Sequence, residues 1–426
     1  MTVADTVPIS HLPAGQLPPV LDADQAVAAA GELASYLAAG AAERDAERVL
    51  PAEPLDRLAA SGLQGITVPT AFGGPGLGAV SAAEVTRLLA IGDPNVAQIP
   101  HSHFVYVNAL RHAATDAQRT FFFGEVLAGR RFGNAQSEIG TRHVREYRTT
   151  LTPIPADEGG GWRLDGEKAY ATGALFADWI PVLAHRGTAA TDGSGEPGEP
   201  GQPGPLHVAW VERRAAGVAV VDDWDGLGQR TTASGAVRLE GVRVPDTHVT
   251  PWHLTFEGPQ VYGAFAQLLH AAIDTGIARA AVADAAAFVT TKSRPYPDAG
   301  VERAADDPLV VHAFGQVDLA VRAAEALLRE AAHAVDVAEA DLTEQSAAAA
   351  SLAVAAARAA STSASLEAGS RLFEVAGTRS ALASLNLDRH WRNARIHTLH
   401  DPAAWKVQHL GRHAVDGTLP PNHGQI

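Results

Sequence analysis

The feature that most constrains the fold is the order in which helical and strand-like patterns follow one another along the chain. From about Asp24 to Arg131 apolar residues recur with helical spacing, whereas from about Phe132 to Thr250 short apolar runs stand between glycines and prolines. From about Gln267 the helical spacing returns and continues almost to the end. Because helices and strands form separate blocks and do not alternate, the sequence predicts an α+β protein.

We expect three domains from this order. They are an N-terminal helical domain over residues 24–131, a central β domain over 132–251 and a C-terminal antiparallel four-helix bundle over 255–426. Residues 187–205 are rich in glycine and proline, which predicts a flexible surface loop between two strands of the β domain.

Two helix starts can be located within the bundle. Asp307-Pro308 predicts an N-cap and first turn. Asp341 and Glu344 predict a start resembling a capping box for the next helix. Behind the first start, one apolar stripe recurs at three- and four-residue spacing, namely Val310, Phe314, Val317, Val321, Ala324 and Leu328.

Composition excludes several kinds of function. The net charge of −15 would repel phosphate backbones and anionic membranes, so nucleic acid and membrane are not expected as partners. The chain has no cysteine, which excludes disulfides, thiolate metal sites and iron–sulfur clusters. It has no apolar run near the ~20 residues that span a bilayer, and its first residues lack a secretory pattern, so we expect a cytoplasmic protein. Redox chemistry would need an organic cofactor or a metal bound by histidines and carboxylates.

Five segments resemble signature segments of the acyl-CoA dehydrogenase family, in the same order and over nearly the whole chain. They are FGNAQSEIG at 132–140, LDGEKAYATG at 164–173, VRLEGVRVP at 237–245, GIARAA at 276–281 and RNARIHTLHDP at 392–402. The resemblance implies the fold of that family, with a flavin lined by the first two segments.

The chain departs from the dehydrogenases where their catalytic base lies. Their last segment supplies a glutamate, whereas this chain has His400-Asp401-Pro402, with a shorter carboxylate and a proline that restricts the backbone before it. The Arg-x-x-Phe-Gly element, linked to FAD binding across subunits, is replaced by Arg294-Pro-Tyr-Pro. In these departures the chain resembles the flavin monooxygenase branch of the superfamily. Residues 267–280 and 298–309 resemble segments of the sulfur-acquisition oxidoreductases in that branch.

The resemblance implies a two-component monooxygenase that takes reduced FMN from a separate flavin reductase and uses oxygen on a small organosulfur compound. It also implies a homotetramer, or at least a dimer, assembled through the bundle. One alternative is an FAD-dependent acyl-CoA dehydrogenase with Asp401 as base. Another is a catalytically degenerate member of the fold that acts as a binding or assembly protein.

His397 and His400 are three residues apart and would share one face of a helix. Imidazole titrates near neutrality and suits proton handling. By resemblance, His400 makes the hydrogen bond on the side of the flavin where oxygen reacts. The alternatives are two ordinary histidines at a helix end, or a zinc pair, for which the sequence places no third ligand and has no His-Glu-x-x-His motif.

The remaining candidates are also placed by resemblance. His101, His103 and Tyr106 would belong to the substrate pocket, with a polar helix start as the alternative. The other side chains would contact the flavin: the ring by Asn134, Ser137 and Thr172, the pocket wall by Trp224, and the phosphate by Arg294 and Arg379. Their alternatives are local turn hydrogen bonds for the first three, a buried structural indole for Trp224 and solvated surface positions for the arginines.

Overall fold

The computed structural model describes residues 7, 9–13, 15–187 and 204–426 of the chain. Helices form the first part, and their caps explain where several of them begin. The side chain of Asp22 accepts a hydrogen bond from the Gln25 amide at the start of α1, and Thr115 caps α6 in the same way. The helices are α1 (Ala23–Glu47), α2 (Ala52–Ala60), α3 (Ala79–Gly92), α4 (Pro94–Gln98), α5 (His101–Ala113) and α6 (Asp116–Leu127).

A mixed sheet follows, with the spatial order β5-β6-β2-β1-β3-β4-β7. Its neighbouring strands are antiparallel except for β1 and β3. The predicted loop joins β3 and β4, which are antiparallel neighbours, but residues 188–203 lie outside the described residues. The strands are β1 (Thr150–Pro153), β2 (Trp162–Lys168), β3 (Trp179–Arg186), β4 (Leu206–Glu212), β5 (Val218–Val221), β6 (Ala236–Val244) and β7 (Val249–Thr250).

Three long helices form the body of the C-terminal part, and two shorter ones pack against the third. The fourth helix expected for the bundle is therefore divided in two, and the break at residues 398–402 contains His400. The helices are α7 (Tyr262–Thr291), α8 (Pro308–Ala340), α9 (Glu344–Ala376), α10 (Arg389–His397) and α11 (Ala403–Asp416). The block order of an α+β protein is confirmed.

Local signals in the bundle were predicted with mixed success. Asp307 caps α8 as expected and accepts a hydrogen bond from Leu309 N at 2.8 Å. The start predicted for α9 is wrong: Thr343, not Asp341, is the N-cap, because the Thr343 hydroxyl accepts from Ser346 N. Along α8 the predicted stripe faces the core, with Val310 and Phe314 partly buried and the others buried, namely Val317, Val321, Ala324 and Leu328.

The first half of α7 lies in the interior, where α3, α5, α9 and α10 pack around it, and every residue from Tyr262 to Ala278 is buried. Polar side chains on this stretch therefore need buried partners. This position of α7 brings Gln267, His270 and Asp274 next to the break between α10 and α11. Within the described part of the chain, no helix is long and apolar enough to cross a membrane.

Candidate active site

A cleft opens between α5, the sheet and the break between α10 and α11. It contains about 1030 Å³ of empty space, including the solvent at its mouth. The segment at 132–135 is held beside β3 by two bridges, Phe132 to Trp179 and Ala135 to Val182. Six of the residues chosen from the sequence line this cleft, namely His101, Asn134, Ser137, Thr172, Trp224 and His400.

His400 presents one ring nitrogen to the cleft in a defined protonation state. Its Nδ1 lies 2.7 Å from the carbonyl oxygen of His397, which can only accept, so the neutral ring carries its proton on Nδ1. Its Nε2 is then an acceptor and lies 3.1 Å from Gln98 Nε2, which donates. Although the ring edge is open to the cleft, burial lowers the pKa of His400 to about 4. His400 is therefore a neutral hydrogen-bond acceptor near pH 7.

Two stacked histidine rings lie on the same side of the cleft as His400, whose ring centroid is 4.5 Å from that of His270. His101 and His270 lie with ring centroids 4.0 Å apart at an angle of 26°. His101 donates from Nε2 to the carbonyl oxygen of Ala266 at 2.9 Å. Burial lowers the pKa of His101 to about 3 and that of His270 well below its ordinary value. Both rings are therefore neutral at physiological pH.

His397 lies behind His400 and does not line the cleft. It is completely buried, and its Nδ1 is 2.5 Å from Asp274 Oδ1. Arg358, also buried, donates to the other oxygen of Asp274. Burial alone would raise the pKa of Asp274, but His397 and Arg358 outweigh it, so the pKa is lowered and the carboxylate is ionised.

The sequence alone places no third ligand for a metal beside His397 and His400. In the structure His270 lies next to both of them. Ligand atoms of His270, His397 and His400 lie within 4.8 Å of one another. The lack of a third ligand is therefore no argument against a metal here. The hydrogen bonds do account for these nitrogens, however: both ring nitrogens of His397 and both of His400 already have partners.

Several buried amide atoms in the cleft have no hydrogen-bond partner among the described residues. They are Oδ1 of Asn134, Oε1 of Gln98 and both terminal atoms of Gln229. A buried polar atom without a partner costs about 1–3 kcal/mol, so such a cluster is typical of a site that a polar ligand completes. The alternating carbonyl and N–H groups on the pyrimidine edge of a flavin would match these amides.

The hydroxyl of Thr172 already has a protein partner. Its Oγ1 lies 2.7 Å from Ser234 Oγ, which in turn lies 2.8 Å from Thr232 Oγ1. Thr172 stands in the tight loop after β2, where Tyr170 and Gly173 both have positive φ. The indole of Trp224 donates to Gln229 O and forms part of the cleft wall. Trp224 is only partly buried, so the alternative of a buried structural indole describes it incompletely, and its contact with a flavin stays a prediction.

A buried ion pair joins the two segments that resembled flavin-lining motifs. Lys168 Nζ lies 2.7 Å from Glu138 Oε1 and donates to Gln136 O at 3.1 Å. The side chain of Lys168 is 0% exposed and that of Glu138 is 5% exposed. Burial lowers the pKa of Lys168 to about 8, which still leaves it charged at pH 7. The pair keeps Asn134 and Ser137 next to the loop that carries Thr172.

The structure places His103 and Tyr106 outside the cleft lining. His103 is fully buried; it donates from Nε2 to Gln64 O and accepts at Nδ1 from Phe132 N. The Tyr106 hydroxyl accepts from Gln136 Nε2 at 2.8 Å, and Gln136 lines the cleft. Direct contact of either side chain with a ligand in the cleft is not supported by this geometry, because both are covered by protein.

Arg294 and Arg379 lie at the far end of the bundle and are exposed. Ser293 Oγ donates to Ala376 O, which holds the ends of α7 and α9 together. Between His270 and Thr291, α7 extends for about 32 Å. Both arginines therefore lie too far from the cleft of their own protomer to contact a mononucleotide bound there.

The chain matches the acyl-CoA dehydrogenase family in two places: residues 25–130 match its N-terminal domain and residues 268–404 its C-terminal domain. A probable FMNH2-dependent monooxygenase, SfnC of Pseudomonas putida, is 30% identical over 402 residues, which cover 93% of this chain and 96% of that protein. A dibenzothiophene monooxygenase of Rhodococcus qingshengii is 31% identical over 406 residues, or 92% of this chain and 94% of that protein. The chain belongs to the flavin monooxygenase branch of this superfamily.

A solved structure of another member supports the same assignment. FMN-bound TdsC of Paenibacillus sp. A11-2 superposes with a TM-score of 0.87 at 30% identity, covering 94% of this monooxygenase and 100% of that chain. The predicted family, acyl-CoA dehydrogenase-like fold and enzyme class are thereby confirmed.

Sequence reasoning missed several residues that complete the site of this monooxygenase. Gln98 and Gln229 supply unpartnered amides, and His270 and Asp274 extend the histidine cluster inward. A signal existed for α7, because Gln267, His270 and Asp274 are polar residues at three- and four-residue spacing in an otherwise apolar stretch. Gln229 has φ +51° and lies outside helices and strands, so no periodic pattern marks it.

Proposed function

We propose that this protein is a two-component monooxygenase that uses reduced FMN and oxygen to oxygenate a small organosulfur compound. The observation that carries the proposal is one cleft that contains both unpartnered amides and neutral histidines. The relatives are named as FMNH2-dependent and dibenzothiophene monooxygenases, and one solved relative holds FMN.

The cleft residues fit a flavin ring by their chemistry. Asn134 and Gln229 would bind the pyrimidine edge, because they offer both donors and acceptors that are otherwise unused. Bound reduced flavin supplies the two electrons with which oxygen is activated. The protein's task is then to exclude water, orient the substrate and manage protons. His400 is placed for the last task, since its Nε2 accepts a proton or a hydrogen bond at the cleft surface.

The substrate would share the cleft with the flavin. Ser102, Gln267 and the rings of His101 and His270 make its inner part polar, whereas Val105 and Ala266 are apolar. This mixture suits a small molecule that carries polar sulfur–oxygen bonds next to carbon. Reduced flavin would come from a separate reductase, which favours a reaction in the cytoplasm.

Anaerobic titration with FMNH2, FMN and FAD tests the cofactor. Oxygen uptake and mass spectrometry with alkyl sulfones, alkyl sulfinates and dibenzothiophene then test the substrate. We expect tight FMNH2 binding and transfer of one atom of labelled oxygen to sulfur. Reduction of a dye by acyl-CoA with bound FAD would instead support the dehydrogenase alternative, and failure to bind any flavin would support the binding protein.

We also propose that Arg294 and Arg379 bind the FMN phosphate in the cleft of a neighbouring subunit of a homotetramer. Both guanidinium groups are exposed at one end of the bundle, which is too far from the cleft of their own chain. Such an assembly would also cover large apolar side chains that are exposed on other helices of the bundle, namely Leu309, Leu319 and Val337 on α8 and Trp405 and Val415 on α11.

Mixing two defective variants tests the contact between subunits. Arg379→Ala should weaken FMN binding by about 1.5–3 kcal/mol, while Arg303→Ala, an exposed control, should not. Hybrids of Arg379→Ala with His400→Ala subunits should regain activity, because some sites then combine an intact cleft with an intact arginine. No recovery in hybrids, or a monomer of 44.3 kDa in light scattering, would contradict the proposal.

A further inference from the structure

A row of hydrogen bonds leads from the wall of the cleft into the centre of the bundle. His270 lines the cleft, and its Nδ1 lies 3.1 Å from His397 Nε2. The opposite nitrogen of His397, Nδ1, lies 2.5 Å from Asp274 Oδ1. Arg358 Nη1 donates to the other carboxylate oxygen at 2.5 Å. His270, His397 and Asp274 thus form a row from the cleft to Arg358, with which Asp274 makes a buried, charge-balanced ion pair.

The positions of the protons follow from the acceptors. The ionised carboxylate of Asp274 can only accept, so His397 carries a proton on Nδ1. One proton lies between His397 Nε2 and His270 Nδ1, and either ring can carry it. When it is on Nδ1 of the neutral His270 ring, Nε2 of that ring has a free lone pair, and this nitrogen makes no hydrogen bond within the described residues. In that arrangement the row ends in a proton acceptor at the cleft.

Charged and titratable groups surround this row from every element packed against it. Arg358 and Lys406 are cations, and each has a carboxylate partner, Asp274 and Asp401 respectively. Asp274 and His397 have no exposed surface, so a proton on His397 would be shielded from water and held by the carboxylate. The facing groups are Asp274 on α7, His101 on α5, Arg358 on α9, His400 and Asp401 in the break, and Lys406 on α11.

We propose that His270, His397 and Asp274 form a proton relay that stores a proton for the reaction in the cleft. The inference rests on the proposed function, because oxygenation releases the second oxygen atom as water and needs protons at the site. His270 Nε2 takes up a proton from the cleft, and its Nδ1 proton passes to His397 Nε2. His397 becomes an imidazolium paired with Asp274, and the reverse transfer returns the proton. One proton moves each way, and nothing is oxidised or reduced.

His270 is the residue that touches the reacting groups, while His397 and Asp274 act through it. The test compares Asp274→Asn and His270→Gln with Thr275→Ala, a buried control on α7 that bonds only to Ala271 O of its own helix. The measured quantity is oxygenated product formed per oxygen consumed, from pH 6 to pH 9. The double variant Asp274→Asn with Arg358→Gln removes both buried charges. It replaces the single variant in this test if Asp274→Asn alone does not fold.

We expect the wild type and the control to keep a constant product yield over this range. Without the relay, protons come from solvent, so the yield of the variants should fall as the pH rises, by about 10²-fold or more at the alkaline end. Equal yields in all proteins, or a loss in the relay variants that does not depend on pH, would overturn the relay. So would one bound metal ion per wild-type chain that is lost in His270→Gln.

A second readout separates this inference from the proposed function. Proton NMR of the apo protein should show a far-downfield resonance for the short bond between His397 and Asp274, absent in Asp274→Asn and present in Thr275→Ala. If the wild type forms no oxygenated product but shows this pattern, the proposed function fails and the hydrogen-bonded row stands. If the resonance is missing from the wild type, the relay is wrong.

Discussion

Replacement of His400 by alanine is the most direct test of the chemistry. The imidazole makes two hydrogen bonds, from Nδ1 to His397 O and at Nε2 from Gln98. Neither is an ion pair, so His400→Ala should leave the fold and FMN affinity nearly unchanged. It should however release hydrogen peroxide in place of oxygenated product, because the reacting oxygen loses its partner on the cleft wall.

The size of the loss distinguishes two roles for the ring. If His400 only accepts a hydrogen bond, its removal should cost about 0.5–1.5 kcal/mol, which is roughly a 2- to 10-fold loss in product formation. If it also takes up or returns a proton, the loss should be ~10²–10⁴-fold. His400→Gln separates these cases, since the glutamine oxygen can accept a hydrogen bond but cannot carry the proton.

The assay measures oxygen consumed, hydrogen peroxide released and product formed by each variant at saturating FMNH2. Asp401→Asn is the matched comparison, because its carboxylate is one residue away and lies 3.2 Å from Lys406 Nζ and 4.0 Å from Arg358. We expect it to affect the orientation of His400 and the stability of the break more than the chemistry. Full coupling in His400→Ala together with inactivity of Asp401→Asn would refute the assignment and favour proton abstraction by Asp401.

Two further predictions concern stability. Lys168→Met leaves Glu138 buried without its partner and should lower the free energy of unfolding by about 3–5 kcal/mol in urea titrations. Arg163→Ala, which breaks an exposed pair, should cost less than about 1 kcal/mol, and equal losses would contradict the argument. Burial lowers the pKa of His103 to about 4, so the unfolded chain binds a proton that the folded chain does not, and stability should fall as the pH drops from about 6.5 to 4. His103→Gln should flatten this part of the profile of melting temperature against pH, and an unchanged slope would show that other groups cause it.

The helix α5 shows how far the sequence can locate a site. His101 and His103 were both assigned to the substrate pocket, because the segment resembles one that lines it. Two residues apart on a helix, their side chains point about 200° apart, so only one of them can face the cleft. His101 does, while His103 bridges Gln64 and Phe132 on the other side. The choice depends on how the helix is rotated, which the tertiary packing decides.

The helix α7 shows a different limit. A helix that is apolar on one face reveals its orientation through its periodicity, but α7 is buried on all sides through its first half. Its polar residues therefore do not mark a solvent face. His270 and Asp274 contact His397 of α10, more than a hundred positions away. The spacing of these polar residues marks one side of α7, but it does not identify the distant residues that this side contacts.

The change of Glu to His400-Asp401 at the position of the dehydrogenase base is explained by the surrounding charges. The Asp401 carboxylate lies at the edge of the cleft, 3.2 Å from Lys406 Nζ and 4.0 Å from Arg358 Nη2, so two cations stabilise its charge. His400, by contrast, carries no charge near pH 7 and turns its Nε2 toward the cleft. A carbon base needs a free carboxylate at the substrate, whereas oxygen chemistry needs a group that can hold and release a proton. We therefore propose that this segment serves the second kind of chemistry, with His400 as the group at the cleft.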